Sequence, residues 1–490
     1  MDRREFLTRV GLVGGAAVLG PTLLAACDDG SDGGSGGGGG GAAAFTSILD
    51  SSPADAPIDT VVVVMMENRS FDHYFGWLAA DQAFLENGRS LYGASFSVAG
   101  DQRQTFRTPT GADRQTVHWL GVEDQSNPWR GCGFADPGHG WEQGRVQRDD
   151  GFLAEGSGND EFALGYYRAD DLPFHTRLAR RFTTFDHWHA SVLGPTFPNR
   201  EYLHSGQSGG HKTNYLPFDE GGFEWPTIWD RFRSANVPAR YYYLDLPTVL
   251  LWGERMMSLA SPVDDFFTDA AAGELANVVF LDPAFIGDGR TDDHPHADIR
   301  AGQRFLRDVF RAFVESPHWE RGAFILTYDE WGGFFDHVAP PELPDERSSD
   351  DDQENFAQAG FRVPSLIASP YARPGFVDHT VMDHTSVLRF LEWRFLGAPP
   401  NGPGRDGDDW FLTARDRNAY NLGAALGLED PDPEVDLDLD IDEPSPGCDE
   451  DDASTTGAVA MPTESAWVEM LESGYLERLG IDPRPAPVWA

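Results

Sequence analysis

The chain has 490 residues, 80 acidic against 37 basic, and a formal net charge of −43. Nearly all the positive charge is arginine, with Lys212 the single lysine. Such a balance argues against nucleic acid or an anionic membrane surface as an electrostatic partner.

In chain order, Arg3-Arg4-Glu5-Phe6-Leu7 leads into a Gly- and Ala-rich apolar run to Ala26, interrupted by Pro21. That composition suits a secretion signal better than a stable membrane span. The arginine pair resembles a twin-arginine export signal, and Leu24-Ala25-Ala26-Cys27 resembles a bacterial lipobox. The resemblance implies cleavage before Cys27 and lipidation of its thiol. Residues 1–27 are thus expected to be a signal, and the product an exported cell-envelope lipoprotein. Its place would be the outer side of the cytoplasmic membrane or the cell surface. Residues 28–56 begin with a Gly-, Ser- and Asp-rich stretch that cannot bury apolar surface and is expected to be a flexible tether. No later segment approaches eighteen uninterrupted apolar residues, so the body is expected to be soluble, with Cys27 as its link to a membrane. Cys132 and Cys448 remain. Their separation in sequence does not decide whether they pair as a disulfide in an oxidising compartment.

The body is expected over residues 57–425. Val61 to Met66 is an apolar run of the kind buried on both faces of a parallel sheet. It ends in Glu67-Asn68, and Ser70-Phe-Asp72-His73 looks like a helix start. Residues 80–180, rich in Gly, Asp, Gln and aromatics, read as excursions over the sheet's edge. Further strands are expected at Arg240 to Leu244, Asn277 to Leu281, Ala323 to Tyr328 and Val363 to Ser369. Helices are expected at Ala301 to Glu315, where Phe305, Val309, Phe310 and Phe313 keep helical spacing, and at Met382 to Phe395. Alternating strands and helices imply an α/β fold with a mostly parallel sheet covered on both sides. Residues 426–462, with alternating aspartates from Asp436 to Asp442, lack the glycine and terminal glutamate of an EF-hand and read as a solvated acidic linker. In residues 463–490, Trp467, Leu471, Tyr475 and Leu479 repeat every fourth residue, which suggests an amphipathic helix docking back on the body.

Two of these strands run straight into acidic doublets, Glu67-Asn68 and Asp329-Glu330. In open α/β sheets ligands lie beyond the carboxyl ends of the strands. One such doublet is ordinarily a turn or a helix cap. Two on one rim would gather four hard oxygen donors, suited to calcium, magnesium or manganese. Between them, Gly194-Pro195-Thr196 places a hydroxyl near a helix start, where backbone N–H groups favour phosphate and a nearby cation would activate the nucleophile. Arg200 reads either as a clamp on phosphate oxygens or as a surface ion pair. Gly332 and Gly333 would let the backbone pass close to a bound group. Among fourteen histidines, His139, His294 and His296 sit in Asp-, Gly- and Pro-rich contexts suited to proton transfer. His73, His318 and His379 read as ordinary hydrogen-bonded side chains.

Met66-Glu67-Asn68-Arg69-Ser-Phe-Asp72-His73-Tyr-Phe-Gly76, Gly194-Pro195-Thr196-Phe-Pro198-Asn199-Arg200, Tyr328-Asp329-Glu330-Trp-Gly332-Gly333-Phe-Phe-Asp336-His337 and Asp383-His384-Thr385-Ser386 together resemble the bacterial phospholipase C and acid phosphatase family of phosphoesterases. The resemblance spans most of residues 58–396. It implies an alkaline phosphatase-like three-layer α/β/α sandwich. It also implies a divalent metal held by Glu67, Asn68, Thr196, Asp329 and Glu330, with Thr196 as nucleophile. His139, His294 and His337 match positions lining the family's site, with His189 and Asp336 as weaker matches. Trp331 departs from the pattern, standing where asparagine is commoner. The implied reaction is hydrolysis of a phospholipid to diacylglycerol and a phosphorylated head group. A phosphomonoesterase and a non-catalytic metal-bound surface lipoprotein are the alternatives.

Overall fold

Seven consecutive residues, Thr60–Met66 (β1), are buried on both sides. The β-branched side chains from Thr60 to Val64 favour an extended backbone, and the absence of any polar residue from Val61 to Met66 excludes a solvent-facing side. This strand is central to an eight-stranded sheet in a computed structural model that describes residues 45–123, 127–287, 289–400, 410–429, 431–448 and 462–481. The other strands are Thr183–Phe185 (β2), Ala239–Tyr243 (β3), Ala260–Pro262 (β4), Val278–Asp282 (β5), Gly322–Tyr328 (β6), Ser365–Ala368 (β7) and Val377–Asp378 (β8). Their order is β8-β2-β7-β6-β1-β5-β3-β4. All run parallel to β1 except β7, which is antiparallel to both β6 and β2. The five strands read from apolar runs are all present. The three missed ones, β2, β4 and β8, span only two or three residues and carry too short a pattern to register.

Adjacent residues of β3 show the layering. Tyr241 packs on Trp229 and His204 of the helices Ile228–Ala235 and Thr196–Ser205. Tyr242 packs on Phe266 of Val263–Ala272. Because side chains alternate along a strand, these helices lie on opposite faces, giving a three-layer α/β/α sandwich. The helix Ile299–Glu315 buries Phe305, Val309, Phe310 and Phe313, the stripe read from its spacing. Phe310 meets Phe324 of β6 at 4.9 Å between ring centres and Trp319 at 5.6 Å.

The expected signal at residues 1–27 lies outside the described residues. The body begins earlier than residue 57: Ile48 is fully buried and its N–H donates to the Leu426 carbonyl. Residues 80–180 carry helices of their own and help form a small apolar cluster of Phe152, Leu153 and Leu164 with Trp331 and Phe335. That cluster accounts for Trp331, whose indole also donates to Gln147 at 2.7 Å.

The acidic stretch differs from the solvated linker expected. Leu437 and Ile441 are buried, and backbone carbonyls from Asp432 to Leu437 accept from Arg181, Arg177 and Arg311. Arg304 pairs with Glu443 at 2.7 Å. Arginines on two helices thus bind a strap whose alternate apolar residues face inward, and Cys448 closes it as a disulfide with Cys132. The C-terminal helix is present as Pro462–Glu472, interrupted at Gly474 (φ 66°) before Tyr475–Arg478. No helix among the described residues is long and apolar enough to cross a membrane.

Phe310→Ala should lower unfolding stability by about 3–5 kcal/mol, measured by guanidinium denaturation, because the ring is fully buried and is packed among Phe174, Phe182, Trp319 and Phe324.

Candidate active site

The parallel register pairs Met66 with Tyr328, so the two acidic doublets leave the sheet side by side. The backbones stay laced beyond the strand ends. The Asn68 N–H donates to Asp329 Oδ1 at 3.0 Å, and the Arg69 N–H to the Glu330 carbonyl at 3.1 Å. Asn68 takes a left-handed conformation (φ 58°), which asparagine tolerates better than most residues. Gly332 and Gly333 serve this packing. A Cβ on Gly332 would stand 2.2 Å from the Asn68 carbonyl oxygen, and one on Gly333 would stand 2.5 Å from that of Gly138. The close approach expected of these glycines is therefore to protein backbone.

Thr196 opens its helix and is fully buried. The loop before it is lashed by Asn199, whose Oδ1 accepts from the Val192 N–H while its Nδ2 donates to the Gly194 and Pro195 carbonyls. Arg200, one residue on, points into the protein. Its guanidinium lies 3.3 Å from Glu67 Oε1, 3.2 Å from Asp282 and 3.6 Å from Asp329 Oδ2. The side chain is only 2% exposed, so it is neither a surface ion pair nor an open clamp. It is the buried counter-charge of the acidic doublets.

The five residues expected to hold a metal share one feature. Each has a buried oxygen with no hydrogen-bond partner: Glu67 Oε2, Asn68 Oδ1, Thr196 Oγ1, Asp329 Oδ2 and Glu330 Oε1. The Thr196 hydroxyl is close enough to Asp329 to help hold that carboxyl down, but without hydrogen-bond alignment. Burial pushes the pKa of Glu67 and of Glu330 well up, and the neighbouring Asp329 charge adds to it; burial also raises Asp329, against the pull of Arg200. Buried unpartnered acceptors are expensive, and a cation among them removes that cost. Three carboxylates, a carboxamide and a hydroxyl, all hard oxygen donors, suit a divalent metal.

His139 and His294 join this site; their ring centres are 5.9 Å apart. His139 Nδ1 donates to the Pro137 carbonyl at 2.8 Å, leaving Nε2 toward the Asn68 amide at 3.4 Å. The amide nitrogen is thereby engaged, while Oδ1 keeps no hydrogen-bond partner. His294 Nε2 lies 3.3 Å from Asp136. Burial pulls the His139 pKa down to about 4 and His294 well below its usual range, so both rings are neutral at pH 7. His384, which sequence reading left without a role, donates from Nε2 to the Asp329 carbonyl at 2.6 Å while its Nδ1 accepts from Trp188 at 3.2 Å. Asp136, Asp282 and Trp467 were also missed. The Trp467 indole donates to Glu67 Oε1 at 3.3 Å.

His337 does not join them. It lies in a second cluster with Asp72 and Asp336, whose donor atoms approach one another within 4.8 Å. Arg362 fills that cluster, gripping Asp336 with two hydrogen bonds of 2.9 Å and lying 3.2 Å from Asp72, so part of its negative charge is already offset. Burial opposes a charged His337, but its hydrogen bond to Asp72 prevails and raises its pKa. Asp336 is thus bound up with Arg362, and His189 is buried, donating to the Gly360 carbonyl. His296 hydrogen-bonds the Phe134 carbonyl. A third group, Asp186, His187 and His379, also brings its donors within 4.8 Å. The Glu67, Asp329 and Glu330 carboxylates are not drawn into so tight a triad, as expected of like charges with only Arg200 between them.

Residues 58–396 match the model of the phosphoesterase family, and the chain belongs to that family. It is 31% identical over 348 residues to non-specific phospholipase C5 of Arabidopsis thaliana, covering 66% of each chain. It is 30% identical over 349 residues to non-specific phospholipase C6 of the same plant, covering 66% of this chain and 63% of the other. Non-hemolytic phospholipase C of Pseudomonas aeruginosa is 29% identical over 402 residues, covering 70% of this chain and 55% of that protein. The chain thus spans between 55% and 66% of the length of these relatives. A crystal structure of an alkaline phosphatase superfamily protein from Vibrio parahaemolyticus aligns with 74% of this chain and 93% of its own at 12% identity, with a TM-score of 0.33. So low a score carries no argument.

Gly332→Ala should destabilise the protein by about 2–4 kcal/mol, read from chemical denaturation. Asp186 provides a pH-dependent case. Burial works against its charge, but hydrogen bonds from His187, His379 and the Ala99 N–H outweigh it and lower the pKa from 3.8 to about 2. The folded value lies below the unfolded one, so the resulting stability is present above about pH 4 and is lost as pH falls toward 2. Asp186→Asn should cost about 2 kcal/mol at pH 7, a difference that shrinks toward zero across that window in denaturation curves.

Proposed function

We propose that this chain is a hydrolase of phosphoric esters of the phospholipase C type, working through a covalent intermediate on Thr196. The observation that carries the reading is a set of five buried oxygens without a hydrogen-bond partner, four on the residues that follow β1 and β6 and the fifth the Thr196 hydroxyl. Glu67, Asn68, Thr196, Asp329 and Glu330 would hold a divalent cation, with calcium, magnesium or manganese favoured by the all-oxygen donors. Such an ion supplies charge stabilisation and a lowered hydroxyl pKa. The chain's own residues do the rest. The Thr196 hydroxyl gives up its proton to solvent, Oγ1 forms the new bond to phosphorus, and the bond to the leaving alkoxide breaks. Arg200 keeps Glu67 and Asp329 in place without touching substrate. His294 or His139 gives the departing oxygen its proton. Both rings are neutral beforehand; an arriving phosphate anion opposes desolvation and raises their pKa, so that one takes up a proton from solvent and passes it to the departing oxygen. Water then cleaves the phosphothreonine and restores the hydroxyl.

With a phospholipid the products are diacylglycerol and a phosphorylated head group. The relatives described as phospholipases C favour this substrate. The complete burial of Thr196 favours a second reading, a phosphomonoesterase with a small substrate. Export by the twin-arginine route and tethering through lipidated Cys27 complete the proposal, and the Cys132–Cys448 disulfide is in keeping with an oxidising compartment.

Thr196→Val should lower turnover by about three orders of magnitude or more with an unchanged melting temperature; an unaltered rate refutes the nucleophile. Activity on phosphatidylcholine exceeding that on a simple phosphomonoester supports the phospholipase reading, and the reverse supports the alternative. Chelation should abolish turnover and added divalent cation restore it. Absence of turnover on both substrates leaves the non-catalytic lipoprotein.

A further inference from the structure

The helix Pro462–Glu472 lies beyond the matched residues 58–396, yet it reaches the centre of the site. Ala466, Trp467 and Met470 are buried. The Trp467 ring stacks on Phe285 with centres 4.1 Å apart and planes 9° from parallel, and it meets the edge of Phe197, the residue after Thr196, at 4.7 Å. Arg200 also lies against Phe285, its guanidinium carbon 4.8 Å from the ring centre. Arg200 and Trp467 thus both pack on Phe285, and the Arg200 guanidinium and the Trp467 N–H both reach Glu67 Oε1, each at 3.3 Å. Glu67 Oε2 is left buried and unpartnered. Farther along, Tyr475 donates to the Leu250 carbonyl at 3.0 Å and stacks on Phe218 at 4.3 Å, so the tail is fastened on both sides of Gly474.

We propose that Trp467 is a positioning residue of the metal site. Its indole N–H, with Arg200, occupies Oε1 and so aims Oε2 of Glu67 at the cation. Outer partners of this kind fix the orientation of a ligand, and their loss typically weakens metal binding 10- to 100-fold. A segment outside the family-matched region thereby completes the site. The inference rests on Glu67 being a metal ligand, as proposed above.

The test is calorimetric titration of the full-length, metal-stripped protein with Mn²⁺ and with Ca²⁺. Trp467→Phe keeps a stacking ring and removes the N–H; affinity should fall about 10-fold or more while the melting temperature shows the protein folded. Met470→Ala loosens the same helix without touching Glu67 and should bind within about twofold of wild type. Phe285→Leu withdraws the ring against which the indole stacks, and it should weaken binding in the same direction should Trp467→Phe fail to fold. Wild-type affinity in Trp467→Phe, or in Phe285→Leu where that variant stands in for it, overturns the proposal. So does an equal loss in Met470→Ala, which would make the effect one of helix docking. Glu67→Ala separates the two levels. If it binds metal as tightly as wild type, Glu67 is not a ligand and both readings fall. If it loses binding while Trp467→Phe does not, only the role of Trp467 falls.

Discussion

Three carboxylates, Glu67, Asp329 and Glu330, are fully buried at the ends of neighbouring parallel strands, and one guanidinium, Arg200, lies against two of them. Like charges in a medium of low polarisability repel strongly, and removing them from water is unfavourable unless each is paired. Arg200 makes their burial tolerable but does not exhaust them, since each keeps an oxygen that accepts nothing. The same arginine is fixed by Asp282 and by the Met65 and Met66 carbonyls. The strand ends, the Thr196 helix and the acidic doublets are thus mutually dependent. The arrangement is stable enough to exist and has electrostatic capacity to spare for a cation.

Around that centre, outer groups engage one polar atom of several of these side chains. His139 engages the Asn68 amide nitrogen, Trp467 and Arg200 take one oxygen of Glu67, and the Gly332 N–H takes Oε2 of Glu330. His384 holds the backbone of Asp329. In Glu67, Asn68 and Glu330 one polar end is engaged by the protein and the other has no hydrogen-bond partner, while Asp329 Oδ2 has the ion pair with Arg200 at 3.6 Å. This pre-orientation limits the reorganisation needed when a charged ligand arrives, which is how electrostatic sites gain their strength.

The long acidic tail is part of the same economy of charge. A chain at −43 gains by placing its arginines where they meet backbone carbonyls and carboxylates together. The strap from Asp432 to Glu443 binds the arginines of Pro173–Arg181 and Ile299–Glu315 in this way. With Cys448 joined to Cys132, the described strap ends near the loop preceding His139.

Much of this molecule was legible in its residues. Long apolar runs announced β1, β3, β5, β6 and the region of β7, because strands buried on both faces need uninterrupted apolar side chains. The acidic doublets and Thr196 were legible because they interrupt those runs or precede a helix at the rim where ligands gather. What the residues could not disclose was the choice of partner. Arg200 turns inward because register sets two carboxylates beneath it. His337 goes to Asp72 rather than to Thr196, although it follows Glu330 closely in sequence. Trp467 meets Glu67 across 400 residues. Local pattern encodes period and burial, which belong to one segment at a time. Pairing of buried charges and indoles depends on distances between segments, and only the folded chain sets those.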